Sequence, residues 1–145
     1  MIRFVTKAMF FDRAAVTGAV DKATRKVLSK FGAFVRTGAR HSLRRRKGTS
    51  DPGKPPSSHV GLLKKFILFG YERQRRSVVI GPMRLNQKVG DAPEALEYGG
   101  VATVVEGTRR KRRRRRIRIK ARPFMGPAFE RVQPKLPAMW ADSVR

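Results

Sequence analysis

The sequence predicts an α+β fold in which an antiparallel sheet of about four strands packs against a long N-terminal helix and a C-terminal helix. Three observations predict this class. Apolar residues recur every three or four positions near the start, short strand-like segments occur in pairs in the middle, and a second helical pattern follows near the end. A chain of 145 residues suits a single domain with a modest core, so we expect one domain spanning 1–145.

Residues 11–46 are predicted to form one long amphipathic helix. Asp12 is suited to cap its start, because a carboxylate can accept a hydrogen bond from a free N–H of the first turn. Three glycines lie in this segment, and each weakens a helix by about 1 kcal/mol relative to alanine, which allows a kink or a close contact. The predicted apolar stripe consists of Val16, Val20, Ala23, Val27, Phe31, Phe34 and Gly38.

Residues 47–59 are predicted to form a proline-rich loop, because prolines exclude helix and the intervening Gly, Ser and Asp favour turns. After it, residues 60–69 form either a helical turn leading into a strand or a strand alone. Residues 77–81 form the next strand, and the polar segment between them predicts a hairpin. A loop as long as 47–59 is unusual in a compact domain, and such loops are commonly functional or disordered.

Residues 91–98 are predicted to form a short helix that ends at Gly99 and Gly100. Strands at 101–107 and 116–121 should then pair, since the second alternates basic residues with isoleucine or alanine. The basic run between them is expected at the tip of this hairpin, residues 108–116. Its members are Arg109, Arg110, Lys111, Arg112, Arg113, Arg114, Arg115 and Arg116.

Residues 127–144 are predicted to form a last helix that Pro134 and Pro137 kink or split. Three aromatic residues in this region, Phe124, Phe129 and Trp140, could stack on nucleic-acid bases or pack in the core. Their spacing after a strand favours core packing, because a base-stacking sheet would carry its aromatics within the basic strands.

Charge is the most unusual property of the sequence. It carries 35 basic against 10 acidic residues, a net charge of +25. Such a field favours binding to nucleic acid or to a strongly acidic protein, and it opposes self-association unless partners compensate. The basic residues are distributed along the whole chain, so the domain itself is basic.

The sequence offers no constellation typical of an enzyme. It has no cysteine, which excludes disulfides and thiol chemistry, and no apolar stretch long enough to predict a transmembrane helix. His41 and His59 stand apart with no cluster of ligands around them. Glu94, Glu97 and Glu106 more plausibly neutralise arginines than form an acid–base pair. We therefore predict no enzymatic activity, no catalytic or metal-binding residues and no cofactor.

Five short motifs follow one another in a fixed order. They are PGKPPSSH at 52–59, GLLKKFI at 61–67, VVIGP at 78–82, ALEYG at 95–99 and ARPFMGPA at 121–128. This order resembles the tail-completion or neck proteins of long-tailed bacteriophages, a group loosely related to the minor tail protein Z type. The resemblance covers roughly 50–145, and it extends to the first helix only by type. The run of eight cations departs from the family pattern, in which this stretch is short and mixed.

The resemblance implies a structural virion protein without enzyme activity, made in the cytoplasm of the bacterial host. It implies a homo-oligomeric ring, with a hexamer expected, at the head–tail junction, where it would connect the tail tube to head-closure proteins. Neighbouring neck and tail-tube proteins would be its partners, with genome DNA in the lumen as a further candidate contact and no membrane. The alternative is a small basic nucleic-acid-binding protein, which the charge alone favours.

Two groups of residues are candidates for contacts between subunits or rings. In the proline-rich loop we expect residues 48–59 to reach away from the domain, and at the short helix we expect carboxylates to meet arginines of a neighbour. The basic run has three possible environments, which are solvent, DNA in a lumen, and an acidic surface of an adjacent ring. The candidate interface residues are Pro52, Gly53, Pro55, Pro56, Glu94, Glu97 and Tyr98.

Overall fold

The computed structural model describes residues 12–59, 61–83, 92–107, 112–141 and 143–144. It confirms the α+β class, the long N-terminal helix and the C-terminal helical segment. The single sheet of about four strands is wrong, because the described strands form two separate antiparallel pairs, β1–β2 and β3–β4. The elements are α1 (Arg13–Ser42), α2 (Leu62–Lys65), β1 (Ile67–Glu72), β2 (Ser77–Pro82), α3 (Ala92–Tyr98), β3 (Gly100–Glu106), β4 (Arg113–Ile119), α4 (Gly126–Val132), a 3-10 turn (Gln133–Lys135) and α5 (Leu136–Trp140).

Helix α1 is continuous over 30 residues and begins as predicted. The Asp12 side chain accepts a hydrogen bond from the backbone N–H of Ala15 at 3.0 Å. The helix ends at Ser42 rather than at 46, because the next residue, Leu43, adopts an extended backbone and buries its side chain completely. The chain therefore leaves the helix one turn earlier than predicted, because the extended backbone at Leu43 buries that apolar side chain.

The buried stripe of α1 advances in steps of four, through Ala23, Val27, Phe31, Val35 and Ala39. This differs from the predicted stripe, whose members Val16, Val20 and Phe34 are exposed. Because a step of four residues overshoots one helical turn, the buried line winds around the helix and follows partners that cross it. Those partners are β1, β2 and α4, and the first turns of α1 extend beyond them.

The core lies where α1 meets the β1–β2 hairpin and α4. Phe124 is almost completely buried there, as its spacing predicted. Phe129 remains partly exposed but packs edge-on against Phe31, with ring centroids 5.6 Å apart. Trp140 stays largely outside the core. The buried core cluster consists of Phe31, Val35, Ala39, Leu43, Ile67, Phe124, Ala128 and Val132.

The two hairpins differ in how the domain supports them. The β1–β2 hairpin follows a single helical turn, α2, which confirms the first of the two readings of 60–69. Strand β1 is anchored by Arg36, whose Nε donates a hydrogen bond to the Ile67 carbonyl at 2.8 Å. The β3–β4 hairpin packs instead against the short helix α3.

Strand β4 begins at Arg113, three residues before the predicted start at 116, and pairs in register from Glu106↔Arg113 to Gly100↔Ile119. The pairing of these two segments is confirmed, but the predicted tip at 108–116 is too long. Residues Arg113 to Arg116 belong to the strand. Arg109, Arg110 and Lys111 lie outside the described residues.

The C-terminal helix is split as the prolines predict. Pro134 lies in the 3-10 turn between α4 and α5, and Pro137 lies in the first turn of α5. Because proline has no N–H to donate, the chain changes hydrogen-bonding pattern at these positions and continues with a displaced axis.

The proline-rich loop folds against the domain at several points. The backbone N–H of Gly53 donates to the Ala121 carbonyl at 2.8 Å, and that of Ser58 donates to the Arg44 carbonyl at 3.0 Å. Pro56 and Ser58 are buried, whereas Pro52 and Gly53 are exposed. The expectation that 48–59 as a whole reaches away from the domain is therefore corrected: two backbone hydrogen bonds hold the loop to the domain, although most of its residues are exposed.

Side chains of β1 and β2 pack closely against Gly32, and substitution at this position tests that packing. A Cβ at this position would lie 2.8 Å from Val78 Cγ2 and 2.9 Å from Phe69 Cδ2, whereas at Gly18 it would meet open space. We expect Gly18→Ala to raise the free energy of unfolding by about 1 kcal/mol through helix propensity. Gly32→Ala should lower the free energy of unfolding by about 1 kcal/mol, because the clash of the new Cβ with Val78 and Phe69 costs more than the gain in helix propensity. Urea denaturation measures both, and equal stabilisation by the two variants would contradict the packing described.

Candidate functional site

The carboxylate of Glu97 joins the end of α3 to the start of α4. Its Oε2 accepts hydrogen bonds from the backbone N–H groups of Phe124 at 2.9 Å and Met125 at 3.0 Å, and its Oε1 accepts one from Gly126 at 2.7 Å. These N–H groups belong to the first turn of α4 and to the residues just before it, so they have no partner within that helix. A carboxylate is a strong acceptor for such groups and also faces the positive end of the helix.

This role of Glu97 was missed by the sequence reasoning, which assigned it to a subunit boundary. Its hydrogen bonds lie within the chain, over a separation of 27 to 29 residues. A capping glutamate is recognisable from sequence only when its helix follows within a few residues. Here the acceptor sits on a different helix, so no local pattern indicates it.

Gly99 allows α3 and the segment after β4 to approach closely. It ends α3 with φ of +78°, a left-handed conformation that glycine adopts without strain. A Cβ here would lie 3.2 Å from the Ala121 nitrogen and 3.3 Å from the Ile119 carbonyl oxygen. The ALEYG motif at 95–99 therefore needs glycine for both its backbone angle and its contact with the ARPFMGPA motif at 121–128.

Arg122 forms two further hydrogen bonds that hold the segment after β4 in place. Its backbone N–H donates to the Leu96 carbonyl at 2.6 Å, and its Nε donates to the Ser50 carbonyl at 2.9 Å. Together with the Gly53–Ala121 hydrogen bond, these contacts tie the proline-rich loop, α3 and the end of β4 to one another. Three segments far apart in the sequence thus converge beside Glu97.

A surface cavity of about 350 Å³ opens at this convergence, and we call it the motif cavity. It is lined by residues of three of the five motifs, including Pro82 from VVIGP, Tyr98 from ALEYG and Phe124 from ARPFMGPA. Glu94 and Glu97 line it as well. Tyr98 is 80% exposed at its edge, which is high for an aromatic side chain. Glu94, Glu97 and Tyr98, predicted as one interface group, therefore lie together.

The loop residues of the same prediction lie elsewhere. Pro55 and Pro56 line a different cavity, near the end of α1, and they do not line the motif cavity. The predicted interface set is therefore divided between two places on the described surface.

Most described carboxylates are already engaged within the chain. Asp12 caps α1, and Glu97 binds the start of α4. Ion pairs hold three others, Asp21 to Arg76, Asp51 to Lys54 and Glu72 to Arg75. Among the carboxylates whose side chains the structure describes, this leaves Glu94 and Glu130 with neither an ion pair nor a hydrogen bond. Glu94 is the one that lines the motif cavity.

The β3–β4 hairpin, which we call the arginine hairpin, presents one strongly cationic face. Arg114, Arg116 and Arg118 are exposed and alternate along β4, so they project from the same face at intervals of about 7 Å. No described carboxylate forms an ion pair with any of the three. Opposite Arg118, Val101 is 64% exposed. The other face carries Ile117, Ile119 and the buried Ala102, together with the exposed Arg113 and Arg115.

No group of three or more His, Asp or Glu side chains that could hold a metal ion occurs in the described ranges. His41 and His59 are exposed and lie near different cavities. What the described geometry brings together is instead a partly apolar cavity with one unengaged carboxylate and, on the neighbouring hairpin, a row of unpaired guanidinium groups.

Truncation of Glu97 tests its role as an intramolecular cap. Glu97→Ala should lower the free energy of unfolding by about 2–4 kcal/mol, because three donors lose a charged acceptor in a half-buried place. Glu94→Ala removes the same charge from the same helix and should cost less than about 1 kcal/mol. Chemical denaturation of both variants provides the measurement. A Glu97→Ala protein as stable as Glu94→Ala would show that these hydrogen bonds do not hold α4 in place.

Comparison of the chain with models of protein families, with curated proteins and with solved structures finds no match. Over the part of the chain that the structure describes, there is no helix with the length and apolar character needed to span a bilayer. A functional proposal therefore rests on the geometry of the motif cavity and the arginine hairpin and on the order of the five motifs.

Proposed function

We propose that this chain is a structural subunit of a bacteriophage virion that forms a closed ring at the head–tail junction, where it connects the tail tube to head-closure proteins. The observation that carries the proposal is the meeting of three motifs around one surface cavity beside a cationic hairpin. Pro82 and Tyr98 of these motifs, together with Glu94 just before the ALEYG motif, line an open cavity that a neighbour can reach.

The two surfaces are complementary and lie on one molecule. The motif cavity offers the carboxylate of Glu94 and the exposed ring of Tyr98, while the arginine hairpin offers guanidinium groups and the exposed side chain of Val101. Two different complementary surfaces allow head-to-tail association, which closes into a ring when the rotation between subunits divides a full turn, whereas reciprocal use of both surfaces by two copies gives a dimer. We propose that the arginine hairpin of one subunit contacts the motif cavity of the next.

The hairpin has more arginines than one contact between subunits needs, and the net charge of the chain bears on what the others can bind. A net charge of +25 per chain opposes assembly, so each contact between copies must pair opposite charges where it can. Glu94 can accept a bidentate contact from one guanidinium group. The remaining arginines of β4 are then available to DNA in the lumen or to an acidic surface of an adjacent ring. The proposed role involves no catalysis.

A small basic nucleic-acid-binding protein is the second candidate, and the cationic face of β4 favours it. Three exposed arginines in a row suit contacts to successive phosphates, and binding of this type is independent of base sequence. The two candidates differ in what the isolated protein does. A ring subunit forms a discrete oligomer through Glu94, whereas a nucleic-acid-binding module binds DNA as a monomer.

Charge reversal at Glu94 tests the ring. The purified protein should show a species of about six times the 16.4 kDa chain mass by mass photometry. Glu94→Lys should reduce that species at least tenfold at a fixed protein concentration, because it places like charges across the proposed contact. Glu130→Lys makes the same charge change on α4 and should leave the oligomer unchanged. Unfolding measured by circular dichroism should show that both variants are folded.

The result that would overturn the proposal is a strictly monomeric protein, or equal loss of the oligomer in both variants. A monomer that binds duplex DNA with strong salt dependence would favour the second candidate.

Removal of the cationic face separates a DNA contact from a protein contact. Replacing Arg114, Arg116 and Arg118 with glutamine removes up to three phosphate contacts. If these arginines bind DNA, the slope of log affinity against log salt concentration should fall by about 3. The control replaces Arg13, Arg25 and Arg73, which are exposed on other elements, and should change the slope less. An unchanged slope together with loss of the oligomer would assign the row to protein contacts.

A further inference from the structure

A second concave site lies at the C-terminal end of α1, and we call it the basic pocket. It has a volume of about 400 Å³. Its cationic lining comes from three separate parts of the chain: Arg44 and Arg46 from the segment after α1, Lys54 from the proline-rich loop and Arg131 from α4. Because these elements are held by core packing and by loop hydrogen bonds, the four exposed cationic side chains converge on one place.

The arginines of the basic pocket are not neutralised within the described chain. None of the described ion pairs includes Arg44, Arg46 or Arg131. Lys54 is paired with Asp51 at 2.9 Å, and both groups are exposed. The pKa of the Asp51 carboxyl is lowered first by the hydrogen bond and charge of Lys54, and further by the charges of Arg46 and Arg122. Arg46 of the pocket therefore contributes positive potential at the nearby Asp51.

The pocket also contains a buried hydroxyl without a partner. Ser57 lines it, and the Oγ atom of Ser57 is buried with no hydrogen-bond partner among the described residues. A buried hydroxyl normally finds a partner, because losing its contacts with water without replacement is unfavourable. Ser57 also lines a neighbouring cavity, so it lies in the wall between the two, and an anion bound in the basic pocket would supply the acceptor that its hydroxyl can use.

We infer that the basic pocket binds a phosphate group. Guanidinium groups match the geometry of phosphate oxygens and donate paired hydrogen bonds, and a serine hydroxyl supplies a further donor. The volume exceeds that of a phosphate ion, so the group can be part of a larger molecule such as a nucleic-acid backbone. The carbonyl end of α1 opposes an anion with about half a unit charge, which three arginines outweigh.

This site is separate from the proposed function. It shares no residue with the motif cavity or with the arginine hairpin, and phosphate binding requires neither a ring nor a virion. It gives a role to the basic segment after α1 and to the buried half of the proline-rich loop.

The first test compares two double variants of the same charge. The probes are inorganic phosphate, titrated at constant ionic strength and followed by backbone amide NMR signals, and a duplex DNA of about 20 base pairs. Arg44→Gln with Arg131→Gln should lower phosphate affinity at least tenfold. Arg25→Gln with Arg73→Gln is the control, since Arg25 lies about 26 Å along α1 from its C-terminal end. The control should lower phosphate affinity less than twofold.

The second test removes a donor without changing charge. Ser57→Ala should lower phosphate affinity by about three- to tenfold, whereas Ser50→Ala, which removes the other buried unpaired hydroxyl, should not. Such a difference distinguishes a formed pocket from general attraction of an anion to a cationic protein. If the pocket variants lose duplex binding as well as phosphate binding, the phosphate belongs to a nucleic-acid backbone. If duplex binding is unchanged, the pocket takes a free phosphate or a small phosphorylated molecule.

Three results would overturn the inference: phosphate affinity equal to that of the parent in the pocket variants, an equal loss in the control variants, or tighter pocket-dependent binding of a glutamate-rich peptide of matched charge.

Discussion

The contact on which the arrangement of this protein depends is the carboxylate of Glu97 with the backbone N–H groups of Phe124, Met125 and Gly126. Glu97 lies near the end of α3, and its hydrogen bonds reach the start of α4. They hold the segment between β4 and α4 against α3. Phe124, donating one of these hydrogen bonds, carries its ring into the core between α1 and β1. The position of the arginine hairpin follows, because β3 continues from α3 and β4 leads directly into the Glu97 contact. One half-buried acceptor thus links the core to both surfaces for which a function is proposed.

Scarcity of carboxylates is the second constraint. The chain has 10 acidic and 35 basic residues, so each carboxylate that is engaged within the fold is no longer free to pair with a basic group of a neighbour. The described chain uses one for the start of α1, one for the start of α4 and three for ion pairs. These pairs are exposed and contribute little to stability, but they remove charge that a neighbour could otherwise contact. Glu94 at the motif cavity therefore remains open to a neighbour, while the unpaired arginines at the hairpin and the basic pocket remain open to solvent or to anions from outside the chain.

Much of the local structure could be predicted from the sequence, because helices, hairpins and proline breaks follow from patterns within a few residues. The division of the strands into two sheets could not, since alternation indicates which strands form hairpins but not whether two hairpins join at their edges. Strand β4 was placed too late because Arg113 to Arg116 lack apolar alternation, yet backbone hydrogen bonds to β3 do not require it. The cap by Glu97 and the grouping of Arg44 with Arg131 depend on contacts between distant segments, which composition and spacing do not reveal.

Cross-linking between two singly labelled subunits tests the central claim most directly, because the chain has no cysteine of its own. One preparation would carry Tyr98→Cys and the other Thr103→Cys, at the register partner of Arg116, so that Glu94 and the arginines keep their charges, and the two would be mixed under mild oxidation. If the arginine hairpin of one subunit contacts the motif cavity of the next, disulfide-linked dimers should form in the mixture well above the level in either preparation alone. Dimer yields in the mixture no higher than in the separate preparations would contradict the head-to-tail contact and the ring built on it.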